Sequence, residues 1–151
     1  MIPSPEGRFV LLEGDRVTFI GGPDTVSWVR GINGEEFAPR YYTYDADGNL
    51  LYTDYEYGTY GRVMRMSPSR VITCVAGCVT GNPGLGDGGF ATNAEVGTAI
   101  YNDSIGGLVV DPDGNILLAD TGNNRVRRID RGGIITTIAG DGSNMYEGTG
   151  D

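Results

Sequence analysis

The chain contains no lysine, no histidine and no glutamine, and all 11 of its basic residues are arginine. Each absence removes a class of chemistry. Without His there is no imidazole general base, no Ser-His-Asp or Cys-His triad and no His-ligated zinc. Without Lys there is no Walker-type phosphate lysine and no Schiff-base nucleophile. Positive charge is scarce as well: 20 acidic residues against 11 basic give a net charge of −9. Nucleic-acid binding needs a basic footprint, so no nucleic-acid partner is expected. No stretch approaches the ~18 uninterrupted apolar residues of a spanning helix, and no membrane insertion is expected. The opening MIPSPEGRFVLLEGDR has no basic region followed by an apolar core, so it does not read as a signal peptide.

Cysteine is nearly absent too. The two present, Cys74 and Cys78, lie close together in VITCVAGC. A straight strand places positions four apart at roughly 13 Å, too far to bridge. Gly77 between them allows the chain to fold back, so a small-loop disulfide and two separate thiols both remain open. A disulfide would imply an oxidising compartment. A metal site built on this pair lacks its other two ligands, so neither a metal nor a cofactor is expected.

What the chain has in excess is glycine, 26 of 151 residues, more than twice the ordinary usage of about 7%. Much of it falls in repeated turns. YDADGNLLYTD at 44–54 matches VDPDGNILLAD at 110–120, 66 positions later. GRVMRM at 61–66 and VITCVAG at 71–77 match NRVRRI at 124–129 and IITTIAG at 134–140, both 63 positions later. A partial third copy opens the chain, with GRFVLL at 7–12 and RVTFIGG at 16–22.

Each copy reads as four short strands. They fall at 41–44, 50–53, 62–66 and 71–76, then at 108–110, 116–119, 125–129 and 134–139. The β-branched content and the recurring turn residues support this, and no amphipathic helical stretch of useful length is present. D-x-D-G-N forms a tight turn, with Asp bonding the backbone and Gly supplying positive φ. It departs from the full calcium-loop pattern, which needs a Glu at a spacing absent here. The second strand of each copy is almost continuously apolar, which predicts burial on both faces.

Four antiparallel strands per repeat point to β-propeller blades. GNILLADTGNNRVRRID followed by GGIITTIAGDG, with GDGGFAT before it, resembles the NHL repeat. The resemblance implies an all-β fold of NHL-type blades, usually six to a propeller and serving mainly as a binding platform. Residues 1–22 would supply the last two strands of one blade. Residues 23–77 and 78–140 would each supply a linker and a full blade, and 141–151 a further linker. That totals about two and a half blades where a propeller needs at least four. The chain is therefore expected to be part of a longer protein or of a multi-chain assembly, with protein as its partner. YTYDADGNLLYTD followed by YGRV also resembles the YD (Rhs) repeats of teneurins and bacterial toxins, a second reading of 41–66.

The resemblance also bears on single residues. Asp54 and Asp120 close equivalent strands, and such an Asp is expected to pair with the Arg of the next strand, as Asp54–Arg62 and Asp120–Arg125. Some propellers of this type are lyases or hydrolases, and that alternative places the active site in blades outside this sequence. The leading expectation is a non-enzymatic structural or interaction module, extracellular or at a cell surface. Tyr55, Tyr57 and Tyr60, with Trp28, Phe90 and Tyr101 from the linkers, would share one rim. Aromatics of this kind suit a protein or glycan contact surface. Asn102 opens the one glycosylation sequon, Asn102-Asp103-Ser104.

Overall fold

The computed structural model describes residues 2–3, 9–13, 16–20, 41–55, 61–69, 71–79, 84–97 and 105–143. Among the described residues, eleven strands form three sheets. The first sheet holds β1 (Ile2–Pro3), β2 (Phe9–Glu13) and β3 (Arg16–Ile20) in that order. It carries one strand more than the two expected, because Ile2 and Pro3 pair with Val10 and Phe9.

The second sheet runs β4 (Tyr42–Tyr44), β5 (Leu50–Tyr55), β6 (Gly61–Met66) and β7 (Ile72–Ala76). The third runs β8 (Gly107–Val110), β9 (Ile116–Asp120), β10 (Arg125–Ile129) and β11 (Ile135–Ala139). Both are antiparallel meanders in which sequence neighbours are sheet neighbours. The register matches as well, with Leu50 opposite Met66 and Ile116 opposite Ile129. A register irregularity falls at the same repeat position in each, between Val63 and Met64 and between Val126 and Arg127.

The first hairpin of each blade is set by D-x-D-G-N. Asp45 Oδ1 accepts the Asn49 N–H at 2.9 Å, and Asp45 Oδ2 accepts the Asn49 amide at 2.8 Å. Asp111 does the same for Asn115 at 2.8 Å and 2.8 Å. Gly48 and Gly114 take φ of 78° and 82°, where a side chain is strained. Both carboxylate oxygens of each Asp are therefore used within the turn. The Asn115 amide is also what holds the Asp111 carboxyl below its ordinary value.

The core lies between the two four-stranded sheets. Leu51, Val63 and Ala76 of the second sheet meet Leu108, Ile116, Leu118, Ile129 and Ile135 of the third. Ala91, Ala94, Val96 and Ile105 of the connecting segment fill the seam between them. The other face of the second sheet is also buried, around Leu50, Tyr52, Met64 and Met66. Strand β5 is thus covered on both sides, as an apolar run requires. Strand β9 is covered on one: Ile116 and Leu118 are buried, but Leu117 and Ala119 are only half-buried. Nothing in the described structure packs over that second face.

Candidate functional site

Segment 84–97 joins the two blades and organises the most polar part of the buried structure. At 91–92 it passes the end of β7, where the Gly77 and Cys78 N–H groups donate to Ala91 O at 3.1 Å and Thr92 O at 3.0 Å. Before that, at 88–89, it runs beside β11, where Gly88 N–H donates to Ile135 O at 2.8 Å and Ile135 N–H to Gly89 O at 3.0 Å. Val96 bridges Gly61. Finally Gly97 N–H donates to Asp120 Oδ1 at 2.8 Å, and the Asn123 amide donates to Gly97 O at 3.1 Å. The linker and the turn after β9 therefore share one rim.

Arg127 holds this segment in place. Its side chain is 0% exposed. One guanidinium nitrogen donates to Asp120 Oδ2 at 3.2 Å and to Glu95 O at 3.5 Å. The other donates to Leu85 O at 2.6 Å and to Asp87 Oδ1 at 2.9 Å. Asp87 Oδ2 in turn accepts the Thr137 hydroxyl at 2.6 Å. A planar fork with several fixed donors suits this task, and a lysine could not satisfy so many acceptors at once.

Burial pushes the Asp120 carboxyl above its ordinary value, against the lowering effects of the Gly97 N–H, the Asn123 amide and Arg127. Glu95 is raised too, first by burial and then by the Asp120 charge. Asp120 accepts from Gly97, Asn123 and Arg127 together. An acceptor engaged in this way anchors structure and is not presented to a substrate.

The expected Asp120–Arg125 pair is corrected here. Arg125 stands directly opposite Asp120 in the ladder, but Asp120 bonds Arg127. Both arginines share a sheet face with Asp120, since side chains two apart point the same way. Arg127 reaches Asp120 diagonally from under the linker. Arg125 sits at the strand end, where Asn123 O at 2.9 Å and Asp141 O at 2.7 Å accept its donors. Arg128, next along β10, turns outward to Asn115 Oδ1 at 3.3 Å.

Cys74 and Cys78 are joined in a disulfide, with Cα atoms 5.8 Å apart. Gly77, at φ 73°, makes the fold-back that a straight strand would forbid. Arg62 lies opposite Asp54 in the ladder. The Asp54 side chain lies outside the described residues, as do the side chain of Tyr55 and all of Trp28, Tyr57, Tyr60, Tyr101 and Asn102. Of the rim aromatics, Phe90 is described. It bridges Ile134 through its backbone and is 60% exposed.

Arg127, Asp87 and Glu95 were not among the residues expected to matter. One sequence feature does point to Arg127. It lies two positions before the inward-facing Ile129, and its counterpart 63 positions earlier is the apolar Met64. An arginine on the inward face of a strand must be paired or solvated.

Two stacked, four-stranded antiparallel meanders with inner strands side by side are blades of a β-propeller. Comparison with known proteins agrees. The NHL repeat model matches residues 103–129, which hold β8, β9 and β10 of the third sheet, and the two four-stranded sheets fit part of a propeller. No curated protein matches the chain. Among solved structures, a protein assigned as a gluconolactonase superposes with a TM-score of 0.58 at 18% identity, over 91% of this chain and 46% of the other. A catalytically inactive virginiamycin B lyase from Staphylococcus aureus, with quinupristin, superposes with a TM-score of 0.58 at 16% identity, over 94% and 41%. The chain thus spans less than half the length of either structure, and at such identities the likeness is one of fold.

Proposed function

We propose that the chain is a structural and protein-interaction module whose exposed blade face seats a further blade of the same kind. One observation carries this. Leu51, Val63 and Ala76, on the face of the second sheet that meets the third, are each 0% exposed. Their repeat counterparts on the third sheet are Leu117, Val126 and Ala139, which are half-buried, half-buried and exposed. Val109 and Ile138 on the same face are 53% and 50% exposed. The repeat that covers one face predicts a cover for the other, because a blade cannot bury its apolar side alone.

The absence of His and Lys from the sequence and the full engagement of Asp120 favour binding over catalysis. The disulfide suits an extracellular or cell-surface setting. A second reading treats the chain as part of a propeller enzyme, since one solved neighbour is assigned as a gluconolactonase and another is a lyase. Under it the reacting groups sit on other blades.

Sedimentation of the chain tests the proposal. Self-association above 16.0 kDa is expected, with Val109→Asp and Ile138→Asp together returning the chain to a monomer. A wild-type chain that stays monomeric at high micromolar concentration would remove the idea that this face seats a blade.

A further inference from the structure

The turn from outer strand to linker occurs twice in the described structure. After β7 it reads Cys74-Val75-Ala76-Gly77-Cys78, and after β11 it reads Thr137-Ile138-Ala139-Gly140-Asp141. Both hinge on a glycine at positive φ, 73° at Gly77 and 83° at Gly140. A Cβ on either would collide with a main-chain carbonyl at the same repeat position, that of Gly61 or that of Asn124. The second turn makes this path with no covalent bond. It uses the Thr137 hydroxyl on Asp87 and Arg125 on Asp141 O. The backbone path therefore does not depend on a disulfide, and the bond between Cys74 and Cys78 adds something else.

We propose that the Cys74–Cys78 disulfide is a reducible clamp on the middle of linker 84–97, at Ala91 and Thr92. The Cys78 N–H is itself one of the two donors that hook the linker, with Gly77 the other. The two ends are held separately, the downstream one by Gly97 on Asp120 and the upstream one by Arg127 on Leu85 O and Asp87. The middle of the linker is thus held by hydrogen bonds from a turn that a redox-sensitive bond closes, and its ends by Asp120 and Arg127. Both cysteines are half-buried, on an outer strand and the turn that leaves it, so a small thiol can approach. They are also the only cysteines in the sequence, so reduction leads to one dithiol and cannot shuffle into another pairing.

The step balances with a dithiol reductant. Its thiolate attacks one cysteine sulfur and the other leaves as a thiolate. The reductant's second thiol then resolves the mixed disulfide. Two electrons pass to the protein, Cys74 and Cys78 end as thiols, and the reductant ends as its own disulfide.

Amide hydrogen exchange on the whole chain, oxidised and then reduced with dithiothreitol, tests this. Exchange at Gly77 and Cys78 is expected to rise about tenfold or more on reduction while Gly97 keeps its protection, the pattern of a local opening. Unchanged protection at Gly77 and Cys78 would overturn the proposal. Loss of protection at Gly97 in the same step would overturn it too, since the bond would then support the whole fold. Cys74→Thr with Cys78→Asp transplants the second turn into the first blade. That variant is expected to fold and to ignore dithiothreitol, and a response to the reductant in it would show that the effect lies elsewhere.

Discussion

Arg127 is the largest side chain among those fully buried in the described structure. Its charge is offset by Asp120, by the half-exposed Asp87 and by two linker carbonyls. Removing one partner of such a pair leaves the other charged and dry. Arg127→Ala is therefore expected to cost about 3–5 kcal/mol in urea unfolding. The first blade carries Met64 at the same place, 0% exposed and without a charge. Replacing both partners, as Arg127→Met with Asp120→Leu, should cost far less than Arg127→Ala alone, since a packed apolar pair can match a buried ion pair. The carboxyl of Asp120 adds a pH dependence. Its folded value is raised by burial, so the folded state holds that proton more tightly than the unfolded one. Its contribution to stability is full below the ordinary carboxylate value and falls as the pH climbs through the raised one. Asp120→Asn lacks this dependence, so its deficit relative to the wild type should be larger near pH 4 than near pH 7. Urea midpoints at the two values check the sign.

At the scale of elements, the turns carry most of the specification. Asp45 and Asp111 spend both carboxylate oxygens on their own hairpins, which is why D-x-D-G-N is a turn and a strand boundary together. Gly140 is the tighter constraint. It sits at φ 83°, and a side chain there would run into Asn124 O. Gly140→Ala combines an unfavourable conformation with a backbone clash, and should lose more than the ~1 kcal/mol of a Gly–Ala difference at an unstrained site. The same change at Gly133, where φ is 80° but the space is open, should cost less. Thermal midpoints of the two variants give the comparison. The strands between these turns were legible because apolar alternation and β-branching are local signals. The third strand of the first sheet was not, because Ile2 and Pro3 are too short a stretch to show a period.

At the scale of the molecule, stability is shared between neighbouring blades. Leu51 and Leu117 are the same residue in the same strand of successive repeats, yet one is sealed and the other half-buried. Leu51→Ala should cost about 2–5 kcal/mol, the usual range for a buried leucine. Leu117→Ala should cost clearly less in the isolated chain, and the gap should close once a further blade covers the third sheet. Equal costs in the isolated chain would mean that the third sheet's outer face is already packed.

The repeats, the strands, the D-x-D-G-N turns and the all-β blade architecture follow from residue order alone, because each depends on contacts within a few positions or on a pattern that recurs. Tertiary structure decided the rest. Arg125 and Arg127 have the same composition and face, and only the path of linker 84–97 over β10 selects Arg127 as the partner of Asp120. Cys74 and Cys78 were equally compatible with two thiols until Gly77 took a positive φ and turned one toward the other. Which apolar face is core and which stays half-exposed depends on what packs against it, and that is a property of neighbours that no single strand contains.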